Sequence, residues 1–289
     1  MGTSSSNKGT RGRGTPLVPS WLEPDTADSA SPDNDQNEQG SVPPSQAPSP
    51  PPPVPHPADP DRFRAPRANF TRFVRSGGND RGSLGRAVSG YVTRASGGPR
   101  RAAQSMGSSR RASARLLGFL FDTASRGVEE TLRSLHLEQL AARPIEEIFL
   151  GLIDYICPEA GTGNAGIARD AFTKTIEDLA TWGITDLGSL NLDQIQTVFE
   201  LYATHAIEER LYNDIGTNVI TLPPAVSQIE NIQEQLRDYI RGAVMDALAA
   251  ARSTMETLTP DRTLAFVDSV YEQTFSFLVE LDNPERESS

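Results

Sequence analysis

The sequence predicts an all-α protein, in which a bundle of about six helices over residues 116–289 follows a basic segment and a long N-terminal tail. Two observations support this fold class. Apolar residues recur at three- and four-residue spacing through the C-terminal region, which is the period of an amphipathic helix. Sustained alternation of β-branched residues, which would indicate strands, is absent from the sequence. The C-terminal region is also long enough to bury a sizeable core.

Residues 1–60 are predicted to be a disordered tail. Fifteen of the 22 prolines lie in residues 1–66, mixed with Ser, Gly, Asp and Gln. Apolar side chains are too sparse there to offset the entropy lost on ordering. The proline-rich run over residues 48–57 favours polyproline II and makes a stiff spacer of about 30 Å, either as a linker or as a ligand for a proline-recognition domain.

Two features of the tail indicate interaction with another protein. Removal of Met1, which a small second residue permits, leaves the α-amine of Gly2, a nucleophile with a reference pKa near 8. Glycine has no Cβ, so it fits a narrow active site on a partner. An apolar island follows farther along: Pro16, Leu17, Val18 and Trp21. This island is typical of a docking peptide, or it packs on the chain's own domain.

Residues 61–115 form a basic segment rich in arginine and glycine, with a net charge of +11 between a tail of −4 and a C-terminal region of −18. Short helices are predicted between the glycines. The segment is predicted either to bind the phosphates of nucleic acid or to dock on an acidic protein surface, of a partner or of this chain. The candidate contact residues are Arg100, Arg101, Arg110 and Arg111.

The acidic helical domain, residues 116–289, contains four apolar stripes that each predict a helix with one buried face. The stripes run over residues 145–156, 192–207, 229–248 and 264–278. Asn191 with Gln194 three residues later predicts a capping box, and two prolines, at 223–224, are predicted to open the third of these helices. Pro260 is predicted at the first position of the last helix.

Candidate chemistry in this domain is sparse. The run over residues 161–166 matches G-x-G-x-x-G, with Asp186 following, but a helical stripe precedes it where a dinucleotide site needs a strand, so an interhelical loop is predicted. Cys157 is predicted to be a small core hydrophobe, and His136 and His205 to be surface imidazoles. Glu208 and its neighbour are predicted to lie on a solvated face. No catalytic residue, metal ligand or cofactor is therefore predicted.

The composition also restricts the cellular setting. One cysteine excludes an intrachain disulfide, and no run of about 18 uncharged apolar residues could span a bilayer. The first residues lack the apolar stretch of a secretory signal, so we expect residence in the cytoplasm.

Three segments together resemble the QatB family. They are the opening residues 1–6, the apolar island over residues 15–21, and the run from residue 82 to residue 107, which carries the resemblance at residues 82–92 and 100–107. QatB is the small, non-enzymatic component of the bacterial Qat anti-phage system. The resemblance is strongest over residues 1–120. The remainder resembles the family only in being helical, without a short diagnostic motif.

The resemblance implies partners and a role for the tail. The expected partners are the ATPase QatA, the QueC-like enzyme QatC and the TatD-like nuclease QatD. QueC-type enzymes use ATP to activate the carboxylate of a 7-deazaguanine and pass it to an amine, which here would be the Gly2 amine. The apolar island would hold the tail on that enzyme. The alternative function is a nucleic-acid-binding adaptor that uses residues 61–115.

Overall fold

The structure is a computed structural model that describes residues 59, 61–159, 161–182, 187–216 and 226–282. Within these ranges the regular secondary structure is helical and no strand occurs, which confirms the predicted all-α class. Gly2 and the apolar island Pro16, Leu17, Val18 and Trp21 lie outside the described residues, as do the prolines at 223–224 and Asp186.

The basic segment folds into regular helices. They are α1 (Arg64–Arg75), α2 (Arg81–Gly90), a π-helical turn (Tyr91–Ala95), α3 (Pro99–Ser105) and α4 (Gly107–Arg126). Gly97 and Gly98 link the π-helical turn to α3 with φ of 81° and 111°, a conformation that favours glycine.

Six further α-helices complete the described chain. They are α5 (Val128–Ser134), α6 (Ile145–Ile156), α7 (Gly163–Trp182), α8 (Leu192–Leu211), α9 (Val226–Glu256) and α10 (Thr263–Glu280). The described ranges contain ten α-helices in all. Four of them begin before residue 116, in the segment where short helices are predicted, and six begin after it, in the region predicted to contain about six. None of the described helices is both long and apolar enough to cross a membrane.

Helix α8 lies at the centre of the fold. It packs between α7 and α9 and also contacts α4, while α10 packs along α9 and covers α3 and α4. Buried residues therefore occur on several faces of α8, among them Phe199, Tyr202 and Ile207, which are all 0% exposed.

The hydrophobic core also includes the basic segment. Phe70 and Phe73 of α1 and Leu84 and Val88 of α2 are buried in the same cluster as the apolar residues of α8 and α10. The position between residues 115 and 116, where the basic segment meets the acidic helical domain, lies inside α4. Burial of these side chains fixes the basic helices on the body.

Of the two predicted helix starts that the structure describes, one is observed and one is displaced. The Asn191 side chain accepts a 2.9 Å hydrogen bond from the backbone N–H of Gln194, and the Gln194 side chain accepts one of 2.9 Å from the backbone N–H of Asn191. This is the predicted capping box. Pro260 begins a 3₁₀ turn, Pro260–Arg262, directly before α10 rather than α10 itself.

Candidate functional site

The four arginines predicted as contact residues separate into two pairs. Arg110 forms an ion pair with Asp268 of α10. Arg111 donates two hydrogen bonds, of 2.6 and 2.9 Å, to the Glu159 carboxylate. Both arginines thus bind carboxylates of the acidic helical domain. Arg100 and Arg101 on α3 are exposed and form no ion pair with any described residue.

Glu159 is held firmly as a carboxylate at this contact. Besides Arg111, the Ser108 hydroxyl donates a 2.5 Å hydrogen bond to it. These hydrogen bonds, that of Arg111 first, lower the pKa of Glu159 to about 2. The contact joins the start of α4 to the chain just after α6, so part of the basic segment docks on the acidic part of the same chain.

A buried ionic cluster lies between α7, α8 and α9. His205 on α8 is 1% exposed, and its Nε2 lies 2.7 Å from a carboxylate oxygen of Asp178 on α7. Glu208, also 1% exposed, lies 3.5 Å from His205 Nδ1 and 3.2 Å from Arg237 Nε on α9. The predictions that His205 is a surface imidazole and that Glu208 faces solvent are therefore wrong, because α8 is enclosed by neighbouring helices.

The cluster shifts the pKa of each member so that its charged form is favoured. Burial alone would raise the pKa of Glu208, but its contact with His205 and the charge of Arg237 outweigh burial and lower that pKa. The pKa of Asp178 is lowered in the same way, chiefly by His205. Opposite charges thus stabilise the charged form of each group.

Cys157 and the glycine run follow the predictions more closely. Cys157 is 4% exposed and burial raises the pKa of its thiol to about 12, as expected for a core residue. A helix, α6, precedes the glycine run instead of a strand. The interhelical loop is shorter than predicted, since Gly163 and Gly166 already belong to α7.

The charged and sulfur-containing side chains do not assemble a metal site in the described part of the chain. No three His, Cys, Asp or Glu side chains there lie in a position to hold an ion together. His136 is exposed and lies apart, at the end of α5, with φ of 59°.

An apolar groove of about 250 Å³ lies between α4, α6 and the turn from α9 to α10. Its apolar side chains are Phe121, Tyr155, Leu258, Pro260 and Leu264, with Arg115 and Asp122 beside them. Tyr155 is 39% exposed and Leu264 is 47% exposed. Exposed apolar side chains that line a groove are typical of a protein docking surface.

Sequence reasoning missed both the groove and the buried cluster. The groove combines three stretches that are distant in the chain, and Leu264 was assigned to a buried stripe. A signal for the buried cluster was present, because α8 has apolar residues at Val198, Leu201 and Ala203 in addition to its predicted stripe. Such a helix is apolar on more than one face, which indicates that it is surrounded.

The sequence profile described as "Qat anti-phage system associated protein QatB" matches residues 97–278. This match covers more than half of the chain. The chain belongs to the QatB family. Searches among curated proteins and among solved structures gave no match.

The residues matched by the QatB profile include the apolar groove and the buried ionic cluster. The match begins at the turn before α3 and ends within α10, so the groove and the buried cluster both lie inside it, whereas α1 and α2 precede it. Membership associates the chain with the Qat anti-phage system, and other Qat components are therefore its partners.

Proposed function

We propose that this QatB is a non-enzymatic subunit of the Qat complex, in which the helical body is a docking platform and the tail is a protein substrate. The observation that supports this proposal above all is the QatB match over residues 97–278. The partner enzyme is the QueC-like component, and the acceptor is the α-amine of Gly2 once Met1 has been removed.

The chemistry of the tail fits this role. The Gly2 amine, with a reference pKa near 8, is partly neutral at pH 7 and can attack the carboxylate that the partner has activated with ATP. The amine nitrogen bonds to the carboxyl carbon, the activating group leaves, and an amide forms with loss of a proton. The island Pro16, Leu17, Val18 and Trp21 holds the tail on the enzyme through its apolar side chains.

The apolar groove supports the docking role of the body. Its lining residues lie inside the QatB match, and Tyr155 and Leu264 leave apolar surface in contact with water. Burial of such surface by a partner is favourable by about 25 cal/mol for each Å². The occupant that we propose is an apolar segment of another Qat component.

Intact mass spectrometry tests the substrate role. The full chain is expressed together with its QueC-like partner, and with an inactive variant of that partner as the control. We expect a mass increase on the first residue only with the active partner. Gly2→Ala still permits removal of Met1 and adds only a Cβ, so we expect a smaller modified fraction. An unmodified N-terminus with the active partner, or full modification of Gly2→Trp, would overturn the substrate role.

Co-purification tests the docking role separately. Leu264→Asp places a charge in the groove and is expected to abolish co-purification with the tagged Qat component that binds there. Met245→Asp on α9 is the matched control, because Met245 is 48% exposed and lies outside the groove. Equal co-purification of both variants would argue against the groove as the docking surface.

A further inference from the structure

The arginines of residues 61–115 differ from the later basic residues in their pairing. Of these thirteen arginines, only Arg110 and Arg111 form ion pairs within the described chain. From residue 116 to 282, every described Lys or Arg except Arg262 pairs with a carboxylate. The helices before α4 therefore keep positive charge that the described part of the molecule does not neutralise.

Most of these unpaired arginines are exposed. The exposed set is Arg62, Arg64, Arg72, Arg75, Arg81, Arg86, Arg94, Arg100 and Arg101. On α1, Arg64, Arg72 and Arg75 share one helix face, which spans about 16 Å at a rise of about 1.5 Å per residue. The sequence of α1 contains no acidic residue, so this row of charges is continuous.

A second group of arginines lies where the chain before α1, the π-helical turn and α3 meet. Arg62, Arg94 and Arg101 line an open depression there. Asp59 and Asp61 also line it, but neither forms an ion pair with these arginines. The depression therefore keeps an excess of positive charge.

The one other carboxylate within the basic segment is already engaged. Asp80 is the single acidic residue between Asp61 and Asp122, and it caps the N-terminus of α2. It accepts hydrogen bonds from the Ser83 backbone N–H at 2.9 Å and from the Ser83 hydroxyl at 2.6 Å. These hydrogen bonds hold its carboxylate at the end of α2, where the charges of Arg86 and Arg72 also act on it, so it offsets one positive charge at most.

The apolar content of this surface distinguishes between a nucleic acid and a protein as its ligand. All the exposed large hydrophobic side chains of the described chain lie at or after Leu150, and Phe70, Phe73 and Tyr91 are buried. Protein interfaces obtain most of their energy from apolar and aromatic anchors. The aromatic side chain beside this surface, Phe63, is half-buried and lies under the guanidinium groups of Arg62 and Arg67, so it is not a free anchor. Contacts to a phosphate backbone need only cationic donors, and arginine provides them in a planar fork.

We propose that this arginine surface, formed by the unpaired exposed arginines of α1, the π-helical turn and α3, binds the phosphate backbone of nucleic acid without reading base sequence. The surface excludes Arg110 and Arg111, which are occupied by Asp268 and Glu159. This role goes beyond docking and tail modification, and the isolated full chain tests it without any other Qat component.

The test measures binding of the full chain to fluorescent DNA of about 20 nucleotides, single-stranded and double-stranded, between about 50 and about 300 mM salt. We expect binding that weakens linearly in a plot of log affinity against log salt concentration. Oligonucleotides of different sequence are expected to bind equally well, because phosphates carry no sequence information.

Three triple variants identify the surface. Arg94→Ala/Arg100→Ala/Arg101→Ala and Arg64→Ala/Arg72→Ala/Arg75→Ala each remove exposed unpaired arginines. Each is expected to reduce the salt slope by about 1 for every arginine that contacts a phosphate. The matched control removes three exposed arginines that pair with carboxylates: Arg126→Ala/Arg133→Ala/Arg143→Ala.

All three variants lower the net charge by the same amount. A difference between them in affinity for DNA therefore arises from the position of the arginines and not from the net charge of the protein. Loss of affinity confined to the first two supports the proposal. Equal loss in all three, absence of salt-dependent binding, or tighter binding to poly-glutamate than to DNA of equal charge would overturn it, the last result in favour of an acidic protein partner. Circular dichroism confirms that each variant is folded.

Discussion

His205 is a buried side chain whose pKa is set by the charged groups around it. Burial lowers the pKa of a histidine, but the hydrogen bond to Asp178 and the charges of Asp178 and Glu208 outweigh burial and raise the pKa of His205 above 6.5. The other charged groups around it are Lys174 of α7, Glu209 of α8, and Arg237 and Arg241 of α9.

The raised pKa predicts how stability changes with pH. The folded state holds the His205 proton more tightly than the unfolded chain, which titrates near 6.5. The resulting stabilisation is fully present below that pH and is lost as the pH rises through the folded pKa. We expect the stability difference between the native chain and His205→Gln, measured by urea unfolding, to shrink as the pH rises above about 6.5, with a slope of at most about 1.4 kcal/mol per pH unit.

The control for this prediction is His136→Gln, because the His136 side chain is exposed. We expect its urea unfolding curve to differ little from that of the native chain across the same pH range. A difference between native chain and His205→Gln that stays constant or grows with pH would contradict the prediction.

Glu208 and Glu209 are adjacent in sequence but differ in burial, which predicts different costs of removal. Glu208 is 1% exposed between His205 and Arg237, whereas the Glu209 side chain is 21% exposed and pairs with Lys174. Glu208→Ala leaves the His205 and Arg237 charges without their shared carboxylate, and we expect a loss of about 3 kcal/mol. Glu209→Ala is expected to cost less than about 1 kcal/mol. Urea unfolding of both variants checks the order, and equal costs would contradict it.

At the scale of a single element, α8 shows why sequence periodicity predicts where a helix lies in the chain but not which other helices pack against it. Its stripe predicted one buried face, and the capping box at Asn191 and Gln194 predicted its start. The opposite face of a helix is normally solvated. Here α7 and α9 cover that face, so His205 and Glu208 are buried, and no local pattern states which helices will pack there.

Two glycines with positive φ, one in the turn between α1 and α2 and one between α4 and α5, predict different stability costs for substitution by alanine. Gly78 has φ of 89°, and a Cβ there would lie 3.2 Å from backbone atoms of Asn231 and Ile232 on α9. Gly127, between α4 and α5, has φ of 87° but open space around its Cβ position. We expect Gly127→Ala to cost about 1–2 kcal/mol for its left-handed backbone alone. Gly78→Ala should cost more, because α9 must also move.

Thermal and urea unfolding of the two alanine variants measure that difference, since both carry the same change of residue at nearly the same φ. Equal destabilisation would mean that the turn does not press against α9. A larger loss for Gly78→Ala would show that α9 holds the α1–α2 turn in place.

At the scale of the whole molecule, the sequence predicted the class and the charge of each region but not how the regions meet. Helical spacing is a local property, so the all-α class followed from it. The contacts of Arg110 with Asp268 and of Arg111 with Glu159 join residues that are far apart in the chain. Such contacts depend on tertiary packing, which periodicity does not encode.

The shared core predicts that the described helices unfold together despite their opposite charges. Phe70, Phe73 and Leu84 of the basic segment are buried with the core of α8 and α10, and α4 continues through residue 116. Separation of the two parts would expose these side chains to water, at about 1.5–3 kcal/mol for each. We therefore expect hydrogen exchange, followed by mass spectrometry across a urea series, to release the protected amides of α2 and α8 at the same denaturant concentration. Earlier release of α2 would show that the basic helices are a separately unfolding unit, held on by the ion pairs of α4 more than by the core.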